Sequence, residues 1–257
     1  MKTNKKNYLF FSIIFLLAFS VTNAQNTDEL YSKALKLKNE YKYKEAFPLF
    51  QSLVKTDSNN VDYIVGASYC HSKYGFYYVA AEADKIKHYQ MAEKLAKKAV
   101  KLNDNSADAH YVYAMALGRI NENASSKQKI ANAKLIKTQV DKAIALNPKH
   151  AGAYHILGRW HRTIANFSTI EKAMINSFFG GVPAGGTYED AVNSFMKAIT
   201  LEPKFMMHQY ELAQTYYDMG KKVEAKVWVE KALQNTPVSE DDLKAKKEGE
   251  KLLKDLK

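Results

Sequence analysis

The chain has 257 residues, 46% of them hydrophobic, with 38 Lys+Arg against 27 Asp+Glu and only 11 Gly and 5 Pro. That length and balance exclude a collagen-like, low-complexity or disordered chain and leave room for one all-helical array or two small domains. A single cysteine, Cys70, excludes an internal disulfide framework and a Cys-cluster metal site.

The first predicted element is a leader. Lys2, Lys5 and Lys6 precede an apolar run from Tyr8 to Val21, and the small residues Thr22 and Ala24 stand at the −3 and −1 positions of a cut before Gln25. The run falls short of the roughly 20 residues a spanning helix needs, so residues 1–24 read as a secretory signal peptide, with an uncleaved membrane anchor as the alternative. Cleavage removes three lysines and no acid, leaving +8 of the formal +11. No later segment approaches about 18 uninterrupted apolar residues. The expectation is an exported protein, periplasmic or secreted, that does not span a membrane.

From there the chain repeats itself with helical spacing. Leu30, Ala34, Leu37, Ala46, Phe50 and Leu53 outline a helix pair over 27–58, with Pro48 inside its second helix. Val65, Gly66, Tyr69, Ala92, Ala96 and Ala99 outline a second over 59–104, stretched by about 14 residues. Tyr113, Ala114, Leu117, Ile136, Val140 and Ala143 give a third over 107–148, stretched by about 10. Leu157, Gly158, His161, Ala191, Phe195 and Ala198 give a fourth over 151–203, stretched by about 21. The clearest unit, 206–239, carries Leu212, Ala213, Tyr216, Gly220, Ala225, Val229, Ala232 and Pro237. These fill the slots of the tetratricopeptide (TPR) repeat of about 34 residues. Small residues let the two helices approach, larger ones fill the space toward the next repeat, and the proline ends the second helix. Ser239 followed by Asp242 caps a last helix over 240–256, whose Leu243, Leu252, Leu253 and Leu256 form one apolar face. The predicted architecture is all-α, a right-handed TPR-like superhelix of five helix pairs closed by a capping helix.

The stretch Tyr154-His-Ile-Leu-Gly-Arg-Trp160, then Thr187-Tyr-Glu-Asp-Ala191 through Phe195 and Lys197-Ala198 to Glu202-Pro203, then Gly220 and Glu224-Ala225 to Trp228, is similar to the TPR domain of the regulator of microtubule dynamics family. The likeness is strongest from Ala151 onward and extends back to about Tyr89. It implies a TPR-like bundle without enzymatic activity. Eukaryotic members of that family are linked to microtubules and organelle membranes. The signal-like leader sets this chain apart from them, so the resemblance is carried over for fold only.

The sequence offers little chemistry. Seven histidines include no pair at i, i+4 on one helix, and no His-Glu-x-x-His occurs, so no metal site or cofactor is expected. Cys70 and His71 are neighbours and would point about 100° apart on a helix, too far for a nucleophile and its base. The glycine-rich loop from Phe178 to Thr187 lacks a lysine and leads into Glu189 and Asp190, so it reads as a connection and not a phosphate cradle.

Arginine placement carries the functional expectation. Of 38 basic residues only Arg119, Arg159 and Arg162 are arginine, and in repeat register all three fall on the groove face of a first helix. Arg159 and Arg162, three apart, share a face. Tyr63, Tyr111, His155 and Tyr210 occupy another groove-facing position, so the candidate binding groove comprises Arg119, Arg159, Arg162, Tyr63, Tyr111, His155 and Tyr210. A guanidinium grips a carboxylate or phosphate in two places, which a lysine cannot do. Packing by Glu189 or Glu211 is the rival role for Arg159. Interspersed acids make the lysines a solvated face and no nucleic-acid footprint. The expected function is a non-catalytic scaffold binding a protein or peptide partner, with a carrier of an amphiphile such as a fatty acid or phospholipid as the alternative. The second reading rests on apolar insertions, Tyr74, Phe76, Tyr77 and Tyr78 in the second repeat and Phe167, Ile170, Ile175, Phe178 and Phe179 in the fourth.

Overall fold

Five of the helices begin where the sequence supplies a side-chain oxygen for the orphan N–H groups. Asn60 Oδ1 accepts from the backbone of Asp62 and Tyr63, Ser106 Oγ from Ala109, Ser125 Oγ from Gln128, Thr187 Oγ1 from Asp190 and Ser239 Oγ from Asp242. Three inter-repeat turns are built alike: Asp57, Asn103 and Asn147 end a helix, and their side chains accept from the backbone two residues on at 2.8, 3.0 and 3.0 Å.

The computed structural model describes residues 26–178, 181–183 and 185–256. The expected signal peptide at 1–24, and Phe179 with parts of the glycine-rich loop, lie outside the described residues. In chain order the helices are α1 (26–39), α2 (Tyr43–Thr56), α3 (Val61–Tyr78), α4 (Glu82–Leu102), α5 (Ala107–Ile120), α6 (Ser126–Leu146), α7 (Ala151–Ala165), α8 (Thr169–Phe178), α9 (Tyr188–Leu201), α10 (Met206–Asp218), α11 (Lys222–Leu233) and α12 (Glu240–Asp255), with no strand among the described residues. The all-α TPR-like array is therefore the observed fold. Among the described residues the insertions are mostly helical: two of them lengthen α3, α4 and α6, and part of the third forms α8.

α3 packs on α4, α5 on α6, α7 on α9 and α10 on α11, while α3–α5, α5–α7 and α7–α10 meet along an inner layer. α1 and α2 share the cluster of Ala34, Ala46, Phe50 and Leu53. The largest core joins α3 to α7 through Ile64, Val112, Leu117, Ile136, Val140, Trp160 and Ile164. Close approach is bought with glycine: a Cβ on Gly158 would sit 2.8 Å from the Phe195 ring. Gly220 turns α10 into α11 at φ +75°, and the equivalent turn between α1 and α2 uses Tyr41 at φ +60°. A tyrosine in that left-handed region costs roughly 1–2 kcal/mol, and its ring stacks on Phe205 across the concave side, centroids 6.1 Å apart.

α12 packs along α10 and α11, and its first turn also reaches the opposite end of the array. Asp241 Oδ2 lies 2.5 Å from Lys73 Nζ of α3, Tyr77 Oη donates to Asp241 Oδ1 at 2.5 Å, and Tyr78 Oη donates to Glu240 at 3.1 Å. The superhelix is thus drawn together by side chains more than 160 residues apart in sequence.

Candidate functional site

The α3–α12 bridge divides the concave side into two cavities that share Lys73, Tyr111, His155, Met207 and Asp241 as their common wall. The first, about 440 Å³, is walled by apolar residues from α5, α6 and α7, among them Met115, Ile130, Ile136, Ile156 and Ile164, with Phe167 and Pro183 from either side of α8. Arg119, Lys129, Arg159 and Lys244 give it cations, and Glu122, Glu211 and Asp241 give it carboxylates, Glu122 held 3.3 Å from Arg119. The Arg119 guanidinium lies 3.7 Å from the centroid of the Phe76 ring, with Lys244 Nζ 5.3 Å from the same ring. The second, about 520 Å³, is more polar and is bordered by Lys38, Asp108, His150, Glu202 and His208.

The dividing bridge is a buried ion pair, each side chain 9% exposed. Lys73 Nζ also lies 5.4, 5.6 and 5.9 Å from the ring centroids of Tyr43, Tyr69 and Tyr77, so an aromatic cage holds the ammonium against one carboxylate. Burial opposes charge on both partners. For Asp241 the Lys73 charge and the Tyr77 hydroxyl outweigh burial and hold the carboxyl down to about 2, whereas for Lys73 burial prevails and lowers its pKa below that of a solvated lysine. The two charges compensate each other, with the tyrosine rings around the ammonium and the Tyr77 hydroxyl on the carboxylate adding to the pairing.

The sequence-predicted residues separate into two groups. Arg119, Arg159, Tyr111 and His155 line the first cavity. Arg162 faces inward: its guanidinium sits 2.6 Å from Glu211 Oε2 and 3.6 Å from Asp218, and donates to the Glu211 carbonyl at 3.1 Å. Arg159 is 53% exposed, 3.5 Å from Glu211 Oε1. Burial would push the Glu211 carboxyl up, and the two guanidiniums hold it down to about 2. The expected two-arginine fork is therefore closed on an internal carboxylate, and Arg159 alone keeps a face toward solvent. Tyr63 borders neither cavity: at 7% exposure it packs in the first-repeat core, its ring 5.0 Å from that of Tyr31. Tyr210 lies against Met206, Met207 and Ala245 under α12. Both depart from the expected groove positions because α1 and α12 cover the two ends of the array.

His155 Nδ1 and His208 Nδ1 are 3.0 Å apart, and His208 Nε2 is 3.1 Å from Glu202. One histidine must donate and the other accept. Burial first, and then His208, push the His155 pKa well down. With His155 neutral, the chain Glu202–His208–His155 ties α7 to α10.

Lys73, Asp241 and Lys244 were not signalled by the sequence. The hint it gives is that Lys73 is the one lysine of α3 and is followed by the aromatic residues Tyr74, Phe76, Tyr77 and Tyr78. Among the described residues no group of three or more His, Cys, Asp or Glu side chains is placed to hold a metal ion, and no helix is long and apolar enough to cross a membrane.

The profile of the family described as Regulator of microtubule dynamics protein 1-3 matches residues 24–257. Regulator of microtubule dynamics protein 1 of Bos taurus is 31% identical over 229 residues, 89% of this chain and 66% of its own length. Regulator of microtubule dynamics protein 3 of Bos taurus is 32% identical over 173 residues, 66% of this chain and 36% of its own length. The chain thus spans under two thirds of the length of these relatives. The crystal structure of a thermophilic TPR protein from Thermus thermophilus matches with a TM-score of 0.64 at 17% identity, covering 88% of this chain and 98% of that one, a likeness of fold.

Proposed function

The chain belongs to the Regulator of microtubule dynamics protein 1-3 family, and on that premise we propose that it is a non-catalytic TPR binding module whose first cavity receives the apolar, acid-bearing end of a protein or peptide partner. The observation that carries this reading is the cavity itself: about 440 Å³ of apolar wall with Arg119, Lys129, Arg159 and Lys244 among its lining. That volume falls in the range of roughly 300–1,000 Å³ typical of ligand pockets. A carboxylate entering beside Arg159 and Lys244 would find charge, and the chain behind it apolar surface. Export rests on the leader at 1–24, and N-terminal sequencing of secreted material beginning at Gln25 is its test.

A second reading has its own support. The Lys73–Asp241 bridge blocks a continuous path along the concave side, so an extended peptide cannot lie through both cavities while the bridge holds. A short amphiphile, such as a fatty acid, needs only the first. Extraction of the purified protein into aqueous and organic phases, followed by mass spectrometry, decides between them. A peptide in the aqueous phase supports the partner-end reading and a lipid in the organic phase the carrier. Blanks in both, together with no binding of apolar peptides ending in a carboxylate, refute the pocket as a binding site.

A further inference from the structure

α8 is a complete helix that the bundle does not explain. Ser168 and Glu171 form a reciprocal capping box at its start, with Glu171 Oε2 accepting from the Ser168 N–H at 2.8 Å and Ser168 Oγ accepting from the Glu171 N–H at 3.2 Å. Of its ten residues only Ile175 is buried. Ile170, Met174 and Phe178, spaced at i, i+4 and i+8 and so on one face, are 74%, 52% and 75% exposed. Three large apolar side chains aligned toward solvent on a short capped helix form a contact surface that no described residue of the chain covers.

The position of this stripe indicates its occupant. Phe167, just before α8, and Pro183, just after it, both line the first cavity, so the helix stands at the edge of that cavity. Lys129 and Lys244 line the same cavity, are exposed, and have no carboxylate within ion-pair distance among the described residues. α8 contributes no net charge of its own, Glu171 offsetting Lys172. Its ten residues span about 15 Å, half the hydrocarbon thickness of a bilayer, which suits a helix lying in the interface with its apolar face down. Apolar insertion beside unpaired cations is the complement of an anionic lipid surface. We propose that α8 docks the protein on an anionic bilayer through Ile170, Met174 and Phe178, with Lys129 and Lys244 facing the headgroups and the first cavity opening beside the membrane. This goes beyond the pocket reading and does not depend on which cargo the pocket takes.

The test is sedimentation of the full chain with phosphatidylcholine vesicles, with and without phosphatidylglycerol. The wild type should bind the anionic vesicles. Ile170→Ser, Met174→Ser and Phe178→Ser together should weaken that binding by about ten-fold or more. Lys129→Gln with Lys244→Gln should remove the preference for phosphatidylglycerol, about five-fold per lysine. An environment-sensitive fluorophore on Met174→Cys gives a second readout free of folding concerns, since the native Cys70 is fully buried; its emission should shift to the blue on anionic vesicles. Wild-type protein that stays in the supernatant, an unshifted fluorophore, or a triple variant that sediments like wild type would overturn the proposal. Such a surface would then belong to a protein partner instead.

Discussion

Replacing Asp241 by Asn should be among the most damaging single changes in the molecule, although the new side chain has nearly the same shape. Among the described residues Asp241 is the only carboxylate paired with the buried Lys73, and losing it leaves an ammonium among three tyrosine rings. Removing one partner of a buried pair costs about 3–5 kcal/mol. In a chain of this size that is a fall in Tm of roughly 6–20 °C. The same pair sets an acid limit. The Asp241 pKa is lowered from 3.8 to about 2 on folding, so its contribution is complete above about pH 4 and fades as pH falls toward 2. The shift corresponds to about 2 kcal/mol. Urea titrations of wild type and Asp241→Asn at pH 7 and at pH 3 should converge as the pH drops. Lys73→Met with Asp241→Leu, which removes both charges, should recover most of the loss. The reasoning fails if the single substitution costs under about 1 kcal/mol at pH 7, or if the double variant is no more stable than the single one.

Arg162→Ala should destabilise by about 3–5 kcal/mol, because Glu211 is buried and Arg162 is its 2.6 Å partner, while the exposed Arg159→Ala should cost about 1 kcal/mol or less; chemical denaturation of the two variants checks the order. Gly158→Ala places a methyl group 2.8 Å from the Phe195 ring and should lower stability by about 1–3 kcal/mol in the same assay. Ser239→Ala removes the cap of α12 and should cost about 1 kcal/mol, seen as a small fall in Tm. Gly118, in the last turn of α5 with open space where a side chain would begin, should behave in the opposite way: Gly118→Leu should hold or raise Tm by improving helix propensity while filling the first cavity.

The repeat was legible because its requirements are local. Small residues at Gly66, Gly158 and Ala213, and the capping residue Ser239, announce helices within a window of one repeat. Arg159 and Arg162 could be placed on one face from spacing alone, and Glu211 could be proposed as a partner. Which of the two arginines would be consumed by that carboxylate depends on how closely α10 packs on α7, and spacing does not carry that. The Lys73–Asp241 bridge was invisible for a stronger reason. It joins residues 168 apart, through a superhelical curvature that accumulates over four helix pairs. On its own, Asp241 reads as one more acid in the first turn of α12, where the helix dipole would favour it. Tyr63 and Tyr210 share the register of Tyr111, yet each sits at an end of the array, where a terminal helix covers what an inner repeat leaves open. The helix α8 was hidden for a different reason, since its apolar residues read equally well as core filling.

The claim that the first cavity is a binding site is tested most directly by native mass spectrometry of wild-type and Gly118→Leu protein purified in parallel. The wild type should carry an added mass that dissociates on activation, and Gly118→Leu, folded and at least as stable, should be free of it. Equal occupancy of both proteins, or a wild type that remains bare even after incubation with carboxylate-ended apolar peptides and with fatty acids, would contradict it.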